Sequence, residues 1–133
     1  MLPFSIELRP GLPVSEQILF AVKRSVATGQ MRVGDRFPSV RVLSQELKIN
    51  PNTAHKVIAA LVTEGVLITT PAVGSVVAGA VAGGPKERAA LLGDDLERVV
   101  VEAKNLGLSI DEVQSALSAQ WKKLTTKPPS PPS

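Results

Sequence analysis

A chain of 133 residues that is 44% hydrophobic and 20% charged has the content of a packed domain with a small appendage, not of a disordered polypeptide. It has no cysteine and a single histidine, which excludes disulfides and thiolate metal sites and leaves no metal-ligating cluster. The net charge is +3, and all the excess lies in residues 1–78, with eight basic against five acidic side chains; residues 79–133 carry seven of each. That imbalance points the N-terminal part toward an anionic partner.

The elements follow in chain order. The opening MLPFSIELRP has an early acid and no basic stretch, unlike a signal peptide, and no apolar run approaches the ~20 residues of a membrane span. A cytoplasmic location is therefore expected. Val14, Ile18, Ala21, Val22 and Val26 recur at three- and four-residue spacing and predict a helix over Leu12–Thr28, with Pro13 in its first turn and Gly29 as its stop. The connector QMRVGDRFPS turns at Gly34-Asp35, with Met31, Val33 and Phe37 placed to pair as a short strand.

Ser39 caps a second helix, Val40–Leu47, with Val40, Leu43 and Leu47 inward and Arg41, Gln45 and Lys48 outward. Asn50 caps a third, with Pro51 at its first position, a buried stripe of Val57, Ile58, Leu61 and Val62, and Gly65 at its end. So short a connection predicts a helix-turn-helix. Val66–Thr70 and Ser75–Ala78 read as a hairpin about Pro71-Ala72-Val73-Gly74.

GAVAGG at 79–84 reads as a linker. A helix is predicted over Pro85–Leu106, with Leu91, Leu92, Leu96, Val99, Val100 and Ala103 on one apolar face and Gly107 as its stop. Ser109 to Glu112 form a capping box for a last helix, Ile110–Leu124, with Val113, Leu117 and Trp121 four residues apart. The tail TTKPPSPPS, 125–133, is expected to be disordered. The fold class is thus mostly α with a small β-hairpin: a winged helix-turn-helix over 1–78, a linker at 79–84 and a helical segment at 85–124. The apolar faces of that segment are too broad for a 40-residue hairpin to bury alone, so a second copy is expected against them, with Trp121 in the contact.

A helix-turn-helix lays its second helix in the major groove of DNA, N-terminal residues first. Asn50 and Pro51 fix that start. Asn52 and Thr53 then project from it, and free backbone N–H groups there are available to a phosphate. Asparagine can pair with adenine, and a threonine methyl can pack on the thymine methyl.

The ordered set G-D-R-F-P-S at 34–39, then Arg41, Leu43 and Leu47, N-P-N-T at 50–53 and E-G at 64–65 resembles the DNA-binding domain of the GntR family of bacterial transcription regulators. The likeness runs over about residues 10–78 and is strongest to the YtrA subfamily, whose members end in a short helical dimerisation segment. The resemblance implies that Arg41 matches a family arginine that contacts DNA, and that Asn50, Asn52 and Thr53 fall at recognition-helix contacts. His55 stands where arginine is common in relatives, and Pro51 where some relatives have arginine but YtrA-like chains have proline. Gly74 matches the wing glycine that lets the backbone approach the minor groove. Many relatives place basic residues beside that glycine; here the wing reads T-T-P-A-V-G-S, leaving Ser75 a hydrogen bond to phosphate.

The expected DNA-binding set is therefore Ser39, Arg41, Asn50, Asn52, Thr53, His55, Lys56, Gly74 and Ser75. The expected function is sequence-specific binding of a palindromic double-stranded operator by a homodimer that represses transcription, without metal or other cofactor. Lys56 is either a phosphate contact or a solvated lysine. Arg36 either holds its turn through Asp35 or another acid, or meets DNA. A small-molecule effector is admitted between the dimerisation helices and the DNA-binding domains, where the linker allows movement, with no residue assigned to it. The alternative is a winged helix that binds only protein, motivated by the uncharged wing and modest charge. An enzyme is not expected. Asp94, Asp95 and Glu97 read as a solvated helix face, and Gly83-Gly84-Pro85-Lys86 lacks the spacing of a phosphate loop.

Overall fold

A computed structural model describes residues 2–78 and 85–125. The proposed linker at 79–84 and all of the tail beyond Thr125 lie outside the described residues. The chain divides into two units, one reaching to Val81 and the other spanning Ala82–Thr125.

In the first unit, helix α1 spans Val14–Ala27, α2 Val40–Leu47 and α3 Pro51–Thr63, followed by strands β1, Leu67–Thr70, and β2, Gly74–Val77. The strands pair antiparallel, with Leu67 opposite Val77 and Thr70 opposite Gly74. One apolar side chain after another from every element is withdrawn from water: Ile18 and Val22 from α1, Leu43 from α2, Val57 and Leu61 from α3, Leu67 and Val77 from the hairpin. Burial of this kind supplies about 1.5–3 kcal/mol per large aliphatic side chain.

Helix boundaries follow local chemistry. The α2 start is capped by Ser39 Oγ, which accepts from Val42 N–H at 3.2 Å. The α3 start is capped by Asn50 Oδ1, which accepts from Asn52 N–H at 2.7 Å, with Pro51 in the first position. At the end of α3, Val66 N–H donates to Leu61 O at 2.9 Å and Gly65 N–H to Val62 O at 3.0 Å, a Schellman closure that Gly65 permits with φ of 80°. Between α2 and α3 the same closure is made without glycine: Lys48 itself takes the left-handed conformation (φ 54°, ψ 48°), and Ile49 N–H donates to Ser44 O at 3.0 Å.

Several details differ from the sequence reading. Pro13 stands before α1 instead of inside it, with ψ of 127°. The buried face of α1 is Ile18, Ala21, Val22 and Ser25; Val14, one turn earlier, lies outside it and Val26 is half-buried. In α3 the fully buried first-turn residue is Ala54, whereas Val62 is 37% exposed. The spacing had the right period, but weighting large residues over alanine moved the stripe one turn too far.

The expected strand at Met31, Val33 and Phe37 is a single bridge, Arg36 opposite Val76. Met31 and Phe37 are buried and Val33 is exposed, because a tight turn interrupts the alternation: Arg32 N–H donates to Asp35 Oδ2 at 2.8 Å and Asp35 N–H to Arg32 O at 3.0 Å. Asp35 thus closes its turn on the Arg32 backbone, not on the Arg36 side chain.

The N-terminal segment is part of the core, which its sequence did not announce. Phe4 is 4% exposed and its ring stacks on Phe37, with centroids 5.9 Å apart and planes 3° from parallel. One α1 side chain fastens the segment: Gln17 Oε1 accepts from Arg9 N–H at 2.8 Å, while Gln17 Nε2 donates to Arg9 O at 2.9 Å and Leu12 O at 3.0 Å.

In the second unit the helix expected over Pro85–Leu106 is not uniform. It consists of α4, Pro85–Ala90, a π-helical turn, Leu91–Asp95, and α5, Leu96–Asn105. Gly107 closes α5, with its N–H donating to Lys104 O at 3.1 Å and Leu108 N–H to Ala103 O at 2.9 Å. Helix α6 spans Ile110–Leu124 behind the predicted capping box, Ser109 Oγ accepting from Glu112 N–H at 3.2 Å. Ala103 is the one buried apolar residue among those described in this unit.

Two stability measurements check this account. Phe4→Ala is expected to lower unfolding free energy by about 3–5 kcal/mol, the cost of vacating a buried aromatic site, read from urea titration. Lys48→Gly is expected to raise it by about 0.5–1 kcal/mol, because glycine adopts the left-handed conformation without a Cβ clash.

Candidate nucleic-acid interface

The buried face of α3 determines what its other face can do. With Ala54, Val57 and Leu61 turned into the core, Asn52, His55 and Lys56 are left exposed along the opposite side. Asn50 and Pro51 are also exposed at the leading end, and Thr53 sits half-buried at the edge between the two faces. Thr53 is thus flanking the exposed stripe, not projecting from its centre.

The expectation of free backbone donors at this end is not met. Pro51 has no N–H. Asn52 N–H is held by the Asn50 side chain, and Thr53 and Ala54 N–H both donate to Asn50 O, at 2.9 and 3.1 Å. The asparagine that fixes the start so firmly also uses up its donors. Helix α2 differs. Ser39 takes Val42 N–H through its hydroxyl and Leu43 N–H through its carbonyl, at 2.8 Å for the latter, while Val40 and Arg41 N–H make no hydrogen bond among the described residues.

The wing is attached to the start of α2 through the backbone. Phe37 N–H donates to Ser75 O at 2.9 Å, Gly34 N–H to Val77 O at 2.9 Å, and Val77 N–H to Asp35 O at 2.8 Å. Ser39 and Arg41 therefore follow directly on a segment laced to the strand that carries Gly74 and Ser75. Gly74 is exposed, with φ of 89° and nothing within 4 Å of where a Cβ would stand; Ser75 is half-buried. Ala72 also has positive φ, 66°, after Pro71, the arrangement of a type II turn. Thr70 Oγ1 donates to Gly74 O at 3.1 Å and tightens the loop.

The electrostatics favour an anion over this surface. Lys23 pairs with Glu64, away from the leading end of α3. Arg41, Lys48 and Lys56 are exposed and carry no ion pair among the described residues. No group of His, Cys, Asp or Glu among the described residues is arranged to hold a metal ion, and no described helix is long and apolar enough to cross a membrane. The sequence set thus converges on two helix starts and a wing base. The supporting residues it missed are Ala54, whose small methyl side chain lets α3 lie close on the core, and Lys48, whose backbone makes the turn.

Residues 14–77 match the family described as bacterial regulatory proteins, gntR family. The chain is 28% identical over 109 residues to the HTH-type transcriptional repressor YtrA of Bacillus subtilis (strain 168), covering 81% of this chain and 84% of that one. Among solved structures it is similar to a transcriptional antiterminator from Listeria monocytogenes EGD-e, at TM-score 0.82 and 25% identity over 93% of each chain. It is also similar to a transcriptional regulator from Oenococcus oeni, at TM-score 0.61 and 27% identity over 88% of this chain and 98% of that one. YtrA from Sulfolobus acidocaldarius, a GntR-family transcription factor, aligns at TM-score 0.52 and 25% identity over 90% of this chain and 97% of that one. With its helix-turn-helix and its hairpin wing, the span 14–77 is a gntR-family helix-turn-helix domain.

Proposed function

We propose that the protein is a cytoplasmic, sequence-specific repressor that binds a palindromic operator as a homodimer. The observation that carries this reading is the exposed polar stripe of α3, on a helix whose other face buries Ala54, Val57 and Leu61, together with an exposed Arg41 that has no ion pair among the described residues. Residues 1–78 are the DNA-binding domain in this reading and 85–124 the dimerisation segment. Asn52 and His55 face base edges, with Asn50 and Thr53 at the margin of the contact. Lys56 meets a phosphate. Arg41 enters from the start of α2, where the spare N–H groups of the first turn and Ser39 lie beside the DNA backbone. Gly74 and Ser75 bring the wing backbone to the same strand. Two copies would place their α3 helices about 34–36 Å apart in successive major grooves.

The homodimer is supported by what the second unit leaves uncovered. Leu92, Leu106, Ile110 and Trp121 are each at least 70% exposed, and Leu91, Val99 and Leu117 at least half. Together these side chains offer on the order of 800 Å² of apolar surface, about one partner's share of a stable interface. A four-helix arrangement of two copies would cover it.

The uncharged wing favours a second reading, a winged helix that binds protein only. Salt separates the two. A protein that neutralises phosphates loses DNA affinity steeply as salt rises, and one that does not is indifferent to it.

Selection from a random DNA pool is expected to return an inverted repeat. On that sequence, Arg41→Ala should weaken binding by about 1–3 kcal/mol if it reads a base, measured by gel-shift titration. Lys56→Ala should weaken binding similarly on all sequences and lower the salt slope by about one. Pool selection that yields no enriched sequence, with binding that ignores salt, would reject the DNA reading.

A further inference from the structure

We infer that the π-helical turn Leu91–Asp95 sets the register of the face through which two copies meet, by carrying Leu91 onto a stripe that an unbroken α-helix would turn it away from. The inference rests on the proposed homodimer and deepens it. The turn is documented by its backbone: Leu96 N–H donates to Leu91 O, five residues back, where an α-helix would reach back four.

That one extra residue per turn changes the phase. In α5, Leu96, Val99, Val100 and Ala103 lie on one side. Counting back from Leu96 at about 100° per residue, an α-helix would put Leu92 roughly 40° away and Leu91 roughly 140° away, on the opposite side. Across a π turn each residue advances only about 80°, so Leu91 and Leu92 fall within roughly 50° of Leu96, on either side of it. Both leucines then join the stripe. Each is exposed in the single chain, Leu91 at 62% and Leu92 at 70%, so neither is placed there by its own unit's core.

A π turn sacrifices hydrogen-bond geometry that an α-helix keeps, so an isolated helix gains nothing by it. Gly93 at its centre lowers the helix preference locally, and nothing lies within 4 Å of where its Cβ would be, so the glycine is not required by crowding. The gain comes when the stripe is covered. The occupant is a second copy, because the exposed apolar area matches a standard interface and each copy presents the same stripe, as an isologous contact requires.

Gly93→Ala keeps the residue count while favouring an unbroken α-helix, and tests this directly. Dimer dissociation constants are measured by analytical ultracentrifugation on the full chain, with circular dichroism to check helix content. In the native chain, Leu91→Ala is expected to weaken the dimer at least about tenfold, the loss of one buried leucine. Gly93→Ala should weaken it by a similar factor. Adding Leu91→Ala to Gly93→Ala should then change it less than about twofold, since the leucine no longer faces the partner. Equal effects of Leu91→Ala in both backgrounds, or none in either, overturn the inference. If Trp121→Ala weakens the dimer while neither Leu91→Ala nor Gly93→Ala does, the register inference fails and the homodimer stands. A native chain that sediments as a monomer at all concentrations sinks both.

Discussion

The first unit depends on the burial of one side of α3. Ala54, Val57 and Leu61 have no exposed surface, and the helix can lie that deep only because its first buried position is an alanine. Everything functional about the helix follows from this constraint. Rotation about its own axis would expose Val57 or Leu61, at about 1.5–3 kcal/mol each, so its polar side is held in one orientation. The leading end is fixed separately by Asn50 and Pro51, and the trailing end by Gly65. The core thus gives the exposed side of α3 its rigidity.

The second constraint is the backbone lacing of residues 34–37 to β2. It makes the wing an extension of the segment that starts α2, so that Arg41, Gly74 and Ser75 are positioned by one set of hydrogen bonds. The hairpin is short and its tip is uncharged, and it depends on this third stretch of chain for its placement. The N-terminal segment then closes the core from the other side of Phe37, through the Phe4 ring.

Much of this was legible in the sequence, for reasons that can be named. Helix starts were readable because Ser39, Asn50 and Ser109 act through their own side chains on the next few residues. The stops at Gly65 and Gly107 were readable because positive φ selects glycine. The turn at Lys48 was not marked in this way, since a lysine there makes the same closure without a compositional sign. Ala54 was passed over because a small residue carries little weight in a hydrophobic pattern, although its smallness is the point. Packing of Phe4 on Phe37 joins residues 33 positions apart, and no local pattern encodes that. The π turn was invisible because its residues are compatible with an α-helix; its backbone bonding, with Leu96 N–H shared between Gly93 O and Leu91 O, distinguishes it. At the candidate site, the residue types were readable and their availability was not. Only coordinates reveal that Thr53 is half-covered and that the donors at the α3 start are already engaged.

That last feature has a consequence for how such a protein could be reprogrammed. A helix tip with spare main-chain donors grips any phosphate alike, so affinity and preference are entangled there. In this chain the Asn50 side chain and carbonyl occupy those donors, and in the proposed DNA complex the general grip would fall to the start of α2 and to lysine. In that complex the exposed stripe of α3 would be a nearly independent alphabet: exchanging Asn52 or His55 would alter which operator is chosen while leaving overall tenacity much as it was.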